Sequence, residues 1–264
     1  MDLGLSGRAC LITGGSRGIG LAAAQRLSAE GADLLLLGRG EEALASAVAR
    51  CRGAGRAEWL ALDVTAGNAG ERTVNACLER FGRLDVLVNN AGMSSVRSLE
   101  QLTDADWQAQ WDIHVMAPMR LMKAAIPAMA QRGWGRVVNV CSSSGKRPGQ
   151  RNVAYSVTKA AELSLSRAYA DAYARDGVLV NAVTPGPVAS ELWLEPGGLV
   201  DQTVQASGGT REQVLEAAAA ALPIRRLAAA EEIAAVIVFL CSEAASNVAG
   251  AAWSVDGGAV PVII

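Results

Sequence analysis

Short apolar runs recur along the chain, separated by stretches with helical periodicity, and this alternation leaves few folds open. The runs fall at about 8–13 (RACLIT), 33–38 (DLLLLG), 57–62, 84–88 (LDVLV), 135–141 (GRVVNVC), 178–183 (VLVNAV) and 251–255. Several are too uniformly apolar to leave one face in water, so they read as strands of a parallel sheet covered on both sides. Helices fit between them at about 18–30, 41–52, 68–81, 104–131, 153–176 and 231–241. The pattern predicts a three-layer, doubly wound α/β fold whose seven parallel strands belong to one domain spanning 1–264. With 264 residues, 51% of them hydrophobic, such a core needs no metal or disulfide staple.

Two segments break the rhythm. Residues 185–225 open with Pro185-Gly186-Pro187 and continue through Glu195-Pro196-Gly197-Gly198 and Gly208-Gly209. Connections in α/β units usually take two to six residues. An excursion of this length beyond a strand's carboxyl end reads as a substrate-covering lid at about 187–225. The second segment is the apolar tail Val260-Pro261-Val262-Ile263-Ile264, expected to dock on its own domain or on a neighbouring subunit.

Composition narrows the function. The net charge of −2 lacks the basic excess of a general nucleic-acid binder. The five cysteines form no CxxC pair, so neither a thiolate metal site nor a disulfide framework is indicated. Reduced thiols, no run of 18 apolar residues and no secretory start together predict a cytoplasmic protein without a membrane span.

The first apolar run leads directly into Thr13-Gly14-Gly15-Ser16-Arg17-Gly18-Ile19-Gly20. Glycines at a strand–helix junction let the backbone turn tightly and approach a diphosphate, which the N–H groups of the following helix then hold. The spacing here, G-x-x-x-G-x-G, differs from the usual dinucleotide fingerprint. At the end of the second run, an acidic residue would accept from a free adenosine ribose, whereas arginine would attract a 2′-phosphate. Gly38 stands where the carboxylate is expected and Arg39 follows it. With Arg17 in the loop, this favours NADP(H). NAD(H) is the alternative, with Arg39 solvated and Glu41 facing the ribose.

Tyr155 and Lys159 are four apart on a predicted helix and share a face. A tyrosine titrates near pH 10, and a neighbouring ammonium brings its phenolate toward useful acid–base range. Ser142 follows the fifth run, at the sheet edge, where its hydroxyl would align a substrate oxygen with Tyr155.

Taken together, these motifs resemble the classical short-chain dehydrogenases/reductases over roughly residues 6–258, most nearly the branch with 3-oxoacyl-carrier-protein reductases and similar ketoreductases. That resemblance implies a Rossmann-type fold and assigns the cofactor loop to Thr13–Gly20, the adenine contact to Asp63 and Val64, and the cofactor channel to Asn90, Ala91 and Gly92 of Asn89-Asn90-Ala91-Gly92. It makes Ser142, Tyr155 and Lys159 the catalytic set, with Lys159 also holding the nicotinamide ribose. Asn181, Pro185 and Gly186 match the stretch beside the nicotinamide, and Val188 and Ser190 the carboxamide contacts, where threonine is commoner than Ser190. The family usually carries asparagine where this chain has His114. The histidine is read as a working substitute in the proton relay, as a structural replacement beside an active triad, or as the mark of a lost activity.

The substrate wall is expected to include Ser142, Ser143, Met93, Pro187 and Trp193, with Ser94, Ser144 and the apolar lid residues beside them. Arg147, Arg151 and Arg211 read either as contacts for the phosphate of a carrier- or coenzyme A-linked substrate or as solvated surface residues that serve solubility. The expected function is NADP(H)-dependent reduction of a ketone or 3-oxoacyl-type carbonyl, or its reverse; the resemblance further implies a homo-oligomer, a tetramer rather than a dimer, built through helices 104–131 and 153–176. An NAD-dependent dehydrogenase of a small or steroid-like alcohol, and an idle cofactor-binding scaffold, are the rivals.

Overall fold

In the computed structural model, which describes residues 2–261, all seven expected strands form one parallel sheet. They are β1 (Ala9–Thr13), β2 (Asp33–Gly38), β3 (Ala57–Ala61), β4 (Val86–Asn89), β5 (Gly135–Val140), β6 (Val178–Pro185) and β7 (Ala252–Val255). Their order is β3-β2-β1-β4-β5-β6-β7. The chain winds outward from β1 to β3, then crosses back to lay β4 on the other flank of β1. That reversal opens a crevice beyond the carboxyl ends of β1 and β4, where such sheets bind ligands.

The uniform apolarity of the central runs follows from their two-sided burial. In β1, Cys10 and Ile12 pack into one core and Ala9 and Leu11 into the other. Leu34 and Leu36 of β2 likewise face one side, and Leu35 and Leu37 the opposite side. The first core is closed by α1 (Gly18–Ala29), α2 (Glu41–Ala49) and α10 (Ala230–Cys241), the second by α3 (Ala69–Phe81), α5 (Ala117–Gln131) and α6 (Val153–Tyr173).

The expected helix 104–131 is interrupted. It consists of α4 (Asp104–Trp111), a π-helical turn Asp112–Met116, and α5. Pro118 has no N–H to offer the carbonyl of His114, four residues back, and its ring crowds that carbonyl, so the ladder widens there. The excursion after β6 is helical rather than a plain loop, with α7 (Glu191–Leu194), α8 (Leu199–Ser207) and α9 (Arg211–Ala220). It is clasped to the β4–α4 segment where Val96 N–H donates to Gln202 Oε1 (2.9 Å). Of the apolar tail, residues 262–264 lie outside the described residues. Val260 N–H donates to Asp256 Oδ2 (3.2 Å).

Polar side chains bind the strand ends that carry the crevice. Thr13 Oγ1 accepts from the Asn90 and Ala91 N–H groups (both 2.9 Å), and Asn90 Nδ2 donates to the carbonyls of Thr13 (2.9 Å) and Gly14 (3.1 Å). Asn89 Nδ2 donates to Asn139 Oδ1 (2.8 Å), joining β4 to β5. Behind this clamp lies Gly20, where a Cβ atom would sit 2.3 Å from Gly14 O and 2.5 Å from Asn90 Nδ2. Gly20→Ala should therefore lower stability by about 1–3 kcal/mol through overpacking and weaken dinucleotide binding. Urea denaturation and calorimetric titration of the variant check this; wild-type values in both would show that the loop relaxes freely.

Candidate active site

A cleft of about 890 Å³ runs along the carboxyl edge of the sheet, within the range of ligand sites. Gly14, Ser16, Arg17, Gly18 and Ile19 line it from the β1–α1 loop, Arg39 from beyond β2, Asp63 and Val64 from beyond β3, and Asn90, Ala91, Gly92 and Met93 from beyond β4. Ser142 and Ser143 follow β5, Tyr155 and Lys159 project from α6, Pro185, Gly186, Pro187, Val188 and Ser190 follow β6, and Trp193 belongs to α7. Two expected site residues stand behind this surface. Gly20 packs under the glycine loop, and His114 is wholly buried.

The nucleotide end is prepared for an anion. Gly14 has φ +62°, and a Cβ atom there would lie 2.9 Å from Asn90 Nδ2, so only glycine makes this turn without strain. No side chain caps α1 and its first turn holds no acidic residue, leaving its N–H groups to a ligand. Arg17 and Arg39 are exposed, and Arg17 Nη1 meets Glu195 Oε2 at 2.7 Å, bridging the loop to the excursion after β6. Asp63 accepts from Thr65 N–H (2.9 Å) and Oγ1 (2.8 Å), bonds that hold its carboxyl below the usual range with help from Arg39. These features suit a phosphorylated dinucleotide: open N–H groups, two cationic side chains and no carboxylate at position 38.

At the chemical end, Ser142 Oγ accepts from the Ser144 N–H (3.1 Å), which leaves the hydroxyl proton to donate into the cleft. The ring of Tyr155 stands edge-on to that of His114, with centroids 5.2 Å apart. Lys159 Nζ lies 5.8 Å from the Tyr155 ring centroid and donates to Val140 O (2.9 Å) and Glu162 Oε2 (2.7 Å). Glu162 did not stand out in the sequence, although it falls seven residues after Tyr155 on the same helical face.

The ring of His114 has one tautomer. Met93 N–H donates to Nε2 (3.2 Å), so Nε2 carries no proton and Nδ1–H donates to Thr158 Oγ1 (3.0 Å). The Thr158 hydroxyl in turn donates to the backbone carbonyl of Tyr155 (3.0 Å), which is consistent with that direction. Burial, reinforced by the Lys159 charge, holds the imidazole pKa well below its ordinary value.

The three arginines that could meet a carrier phosphate are not gathered into a group. Arg211 is bound within the excursion after β6, to the Asp201 carboxylate and the Leu194 carbonyl, because α8 and α9 fold against each other. Arg147 and Arg151 are exposed. Among the described residues no cluster of His, Cys, Asp and Glu could hold a metal ion, and no helix is long and apolar enough to cross a membrane.

Residues 14–260 match the family described as enoyl-(acyl carrier protein) reductase. The chain is 36% identical to the short-chain reductase protein NovJ of Streptomyces niveus, over 94% of this chain and 92% of that one. It is 31% identical to a 3-oxoacyl-[acyl-carrier-protein] reductase of Thermotoga maritima, over 96% and 98%. Among solved structures, L-sorbose reductase from Gluconobacter frateurii, complexed with NADPH and L-sorbose, superposes with a TM-score of 0.93 at 34% identity, covering 100% of both chains. The chain belongs to the short-chain dehydrogenase/reductase family of oxidoreductases.

The locked histidine carries a pH prediction. The unfolded chain protonates His114 near pH 6.5, whereas the folded chain keeps it neutral. The stability that His114 contributes is complete above that pH and falls as pH drops toward the folded pKa, with a slope approaching about 1.4 kcal/mol per pH unit. His114 is the only histidine in the chain, so His114→Asn should remove this slope between about pH 6.5 and 5. Urea denaturation across that interval checks it; a slope retained in the variant would mean that the ring is not the source.

Proposed function

We propose that the chain is an NADP(H)-dependent oxidoreductase that reduces a ketone or 3-oxoacyl-type carbonyl to the alcohol, or runs the reverse reaction. The observation that carries this reading is one cleft joining an anion-ready glycine loop, flanked by Arg17 and Arg39, to Ser142, Tyr155 and Lys159. The NADPH found with L-sorbose reductase supports the same choice of cofactor.

Gly14, Ser16, Gly18 and Ile19 would hold the diphosphate, Arg17 and Arg39 the 2′-phosphate, and Asp63 and Val64 the adenine. Asn90, Ala91 and Gly92 would line the ribose channel, with Pro185, Gly186, Val188 and Ser190 against the nicotinamide. Bound there, the nicotinamide supplies a hydride to the carbonyl carbon or accepts one from the alcohol. In reduction Tyr155 gives its phenolic proton to the substrate oxygen, while Ser142 donates a hydrogen bond to the same oxygen as negative charge develops on it. Lys159, held charged, favours the phenolate that remains. Both ring nitrogens of His114 are occupied, so the histidine is favoured as a structural replacement: it braces the Tyr155 ring and the Met93 backbone beside an active triad.

Met93, Pro187 and Trp193 form the apolar side of the substrate wall, and Ser143 adds a hydroxyl. Exposed Trp111 on α4 and Val157 on α6 supply apolar contacts for a homotetramer, which light scattering of the purified protein would detect as four times the 27.3 kDa chain mass. A monomer at micromolar concentration would remove that part of the proposal.

Two variants test the chemistry. Arg39→Ala should weaken NADPH binding at least tenfold (about 1.4 kcal/mol) while NADH binding stays within about twofold, read by calorimetry on cofactor-free protein; equal losses, or a wild-type preference for NADH, would reverse the cofactor assignment. Tyr155→Phe should reduce NADPH-dependent turnover of a ketone or acetoacetyl thioester by about 10²–10⁴-fold. Undiminished turnover would remove Tyr155 from its role, and a wild-type protein that binds neither dinucleotide would favour the scaffold reading.

A further inference from the structure

Among the described residues Glu162 is the one carboxylate buried with the chemical end of the cleft, and the reaction gives it no task. It is 2% exposed, on the same α6 face as Tyr155 and Lys159, at positions i, i+4 and i+7. Its Oε2 accepts from Lys159 Nζ at 2.7 Å, and the side chains of the pair are 4% and 2% exposed. The lysine ammonium has three donors. One goes to Glu162 and one to Val140 O (2.9 Å), so the third is left for the cleft that Lys159 lines. The ammonium is thus placed by two fixed acceptors, one from its own helix and one from β5, before any ligand enters.

We propose that Glu162 is a positioning residue for the proton-transfer chemistry: its carboxylate fixes the Lys159 ammonium and offsets the charge that Lys159 presents to Tyr155, so the range in which Tyr155 gives and takes its proton is set by Tyr155, Lys159 and Glu162 together. This rests on the reading of Tyr155 and Lys159 as the acid–base pair.

An unpaired ammonium near a phenol would draw its ionisation far down. An ammonium bound to a carboxylate at 2.7 Å presents closer to a dipole, whose field falls off faster with distance. Burial works to lower the Lys159 pKa, but Glu162 and then Tyr155 outweigh it and the lysine is held above its usual value. Burial raises Glu162, with the Lys159 charge opposing. The other groups facing this cluster are His114 from the π-helical turn and Cys141 just past β5. The imidazole is neutral, and the thiol is kept protonated, first by burial and then by Glu162. Lys146 acts on Cys141 from the following turn. None of these supplies a second buried carboxylate that could replace Glu162.

The test reads Tyr155 itself and needs no substrate. Phenolate absorbance near 295 nm is titrated in the full-length protein and in Tyr155→Phe. The difference isolates Tyr155 from the other two tyrosines, Tyr169 and Tyr173. The same difference is then taken on the Glu162→Gln background. Removing the carboxylate's charge should lower the Tyr155 midpoint by about one pH unit, and Glu162→Asp should lower it less.

A midpoint that stays put or rises in folded Glu162→Gln, checked by circular dichroism, overturns the proposal and leaves the pair as a packing device. Should that variant fail to fold, an unshifted midpoint in Glu162→Asp overturns it equally. Loss of turnover in Tyr155→Phe tests the acid–base reading separately, so the two can fail independently.

Discussion

The inner strands of the sheet are dry on both faces, and this constraint governs nearly everything else. Parallel strands buried on two sides must be apolar at successive positions, must be linked by crossover helices, and must leave their polar business to the strand ends. The reversal of winding at β1 and β4 parts those crossovers and exposes the carboxyl ends. The backbone groups released there are taken up by Thr13 and Asn90. Of the side chains that close the fold at this edge, Asn90 also lines the crevice.

Charge is distributed unevenly along that crevice. Its nucleotide end is open and cationic, with Arg17 and Arg39 in water, where opposite charges attract a ligand over distance but contribute little to folding. Its chemical end is buried, and there each charge is matched. Lys159 faces Glu162, and the one histidine is neutral with a fixed tautomer. Buried groups in such surroundings keep their protonation states against pH changes in the solvent. The excursion after β6 lines the same cleft through Trp193 and Leu199, and its Glu195 meets Arg17, so entry of a phosphorylated ligand would compete with a surface ion pair.

Most of the scaffold was legible in sequence because its signals are local. Seven apolar runs, a glycine loop after the first of them and Tyr155 and Lys159 four apart all follow from periodicity and turn chemistry, and each lands in the expected element. The excursion after β6 was visible as an interruption but not as three helices, since its helical faces are short and broken by glycines. The π-helical turn had a signal, Pro118 four residues after His114. Proline near a helix start is ordinarily harmless, so the pattern reads equally well as one long helix. Glu162 had a signal too, a carboxylate in phase with Tyr155 and Lys159. Most glutamates in helices face water, and nothing local separates this one from those.

By itself, then, the sequence determined the order and kind of the elements, the glycine turn at the mouth of α1 and the residue types brought to the strand ends, because these depend on near neighbours and on the period of apolar positions. Only the tertiary structure decided which nitrogen of His114 carries its proton, that Gly20 packs against the glycine loop from behind, that Arg211 is held within the excursion after β6, and that Lys159 has a carboxylate partner. Each depends on contacts between segments distant in sequence or on burial by the assembled core. Desolvation makes such contacts strong in both directions, since a buried polar group is either paired or a liability.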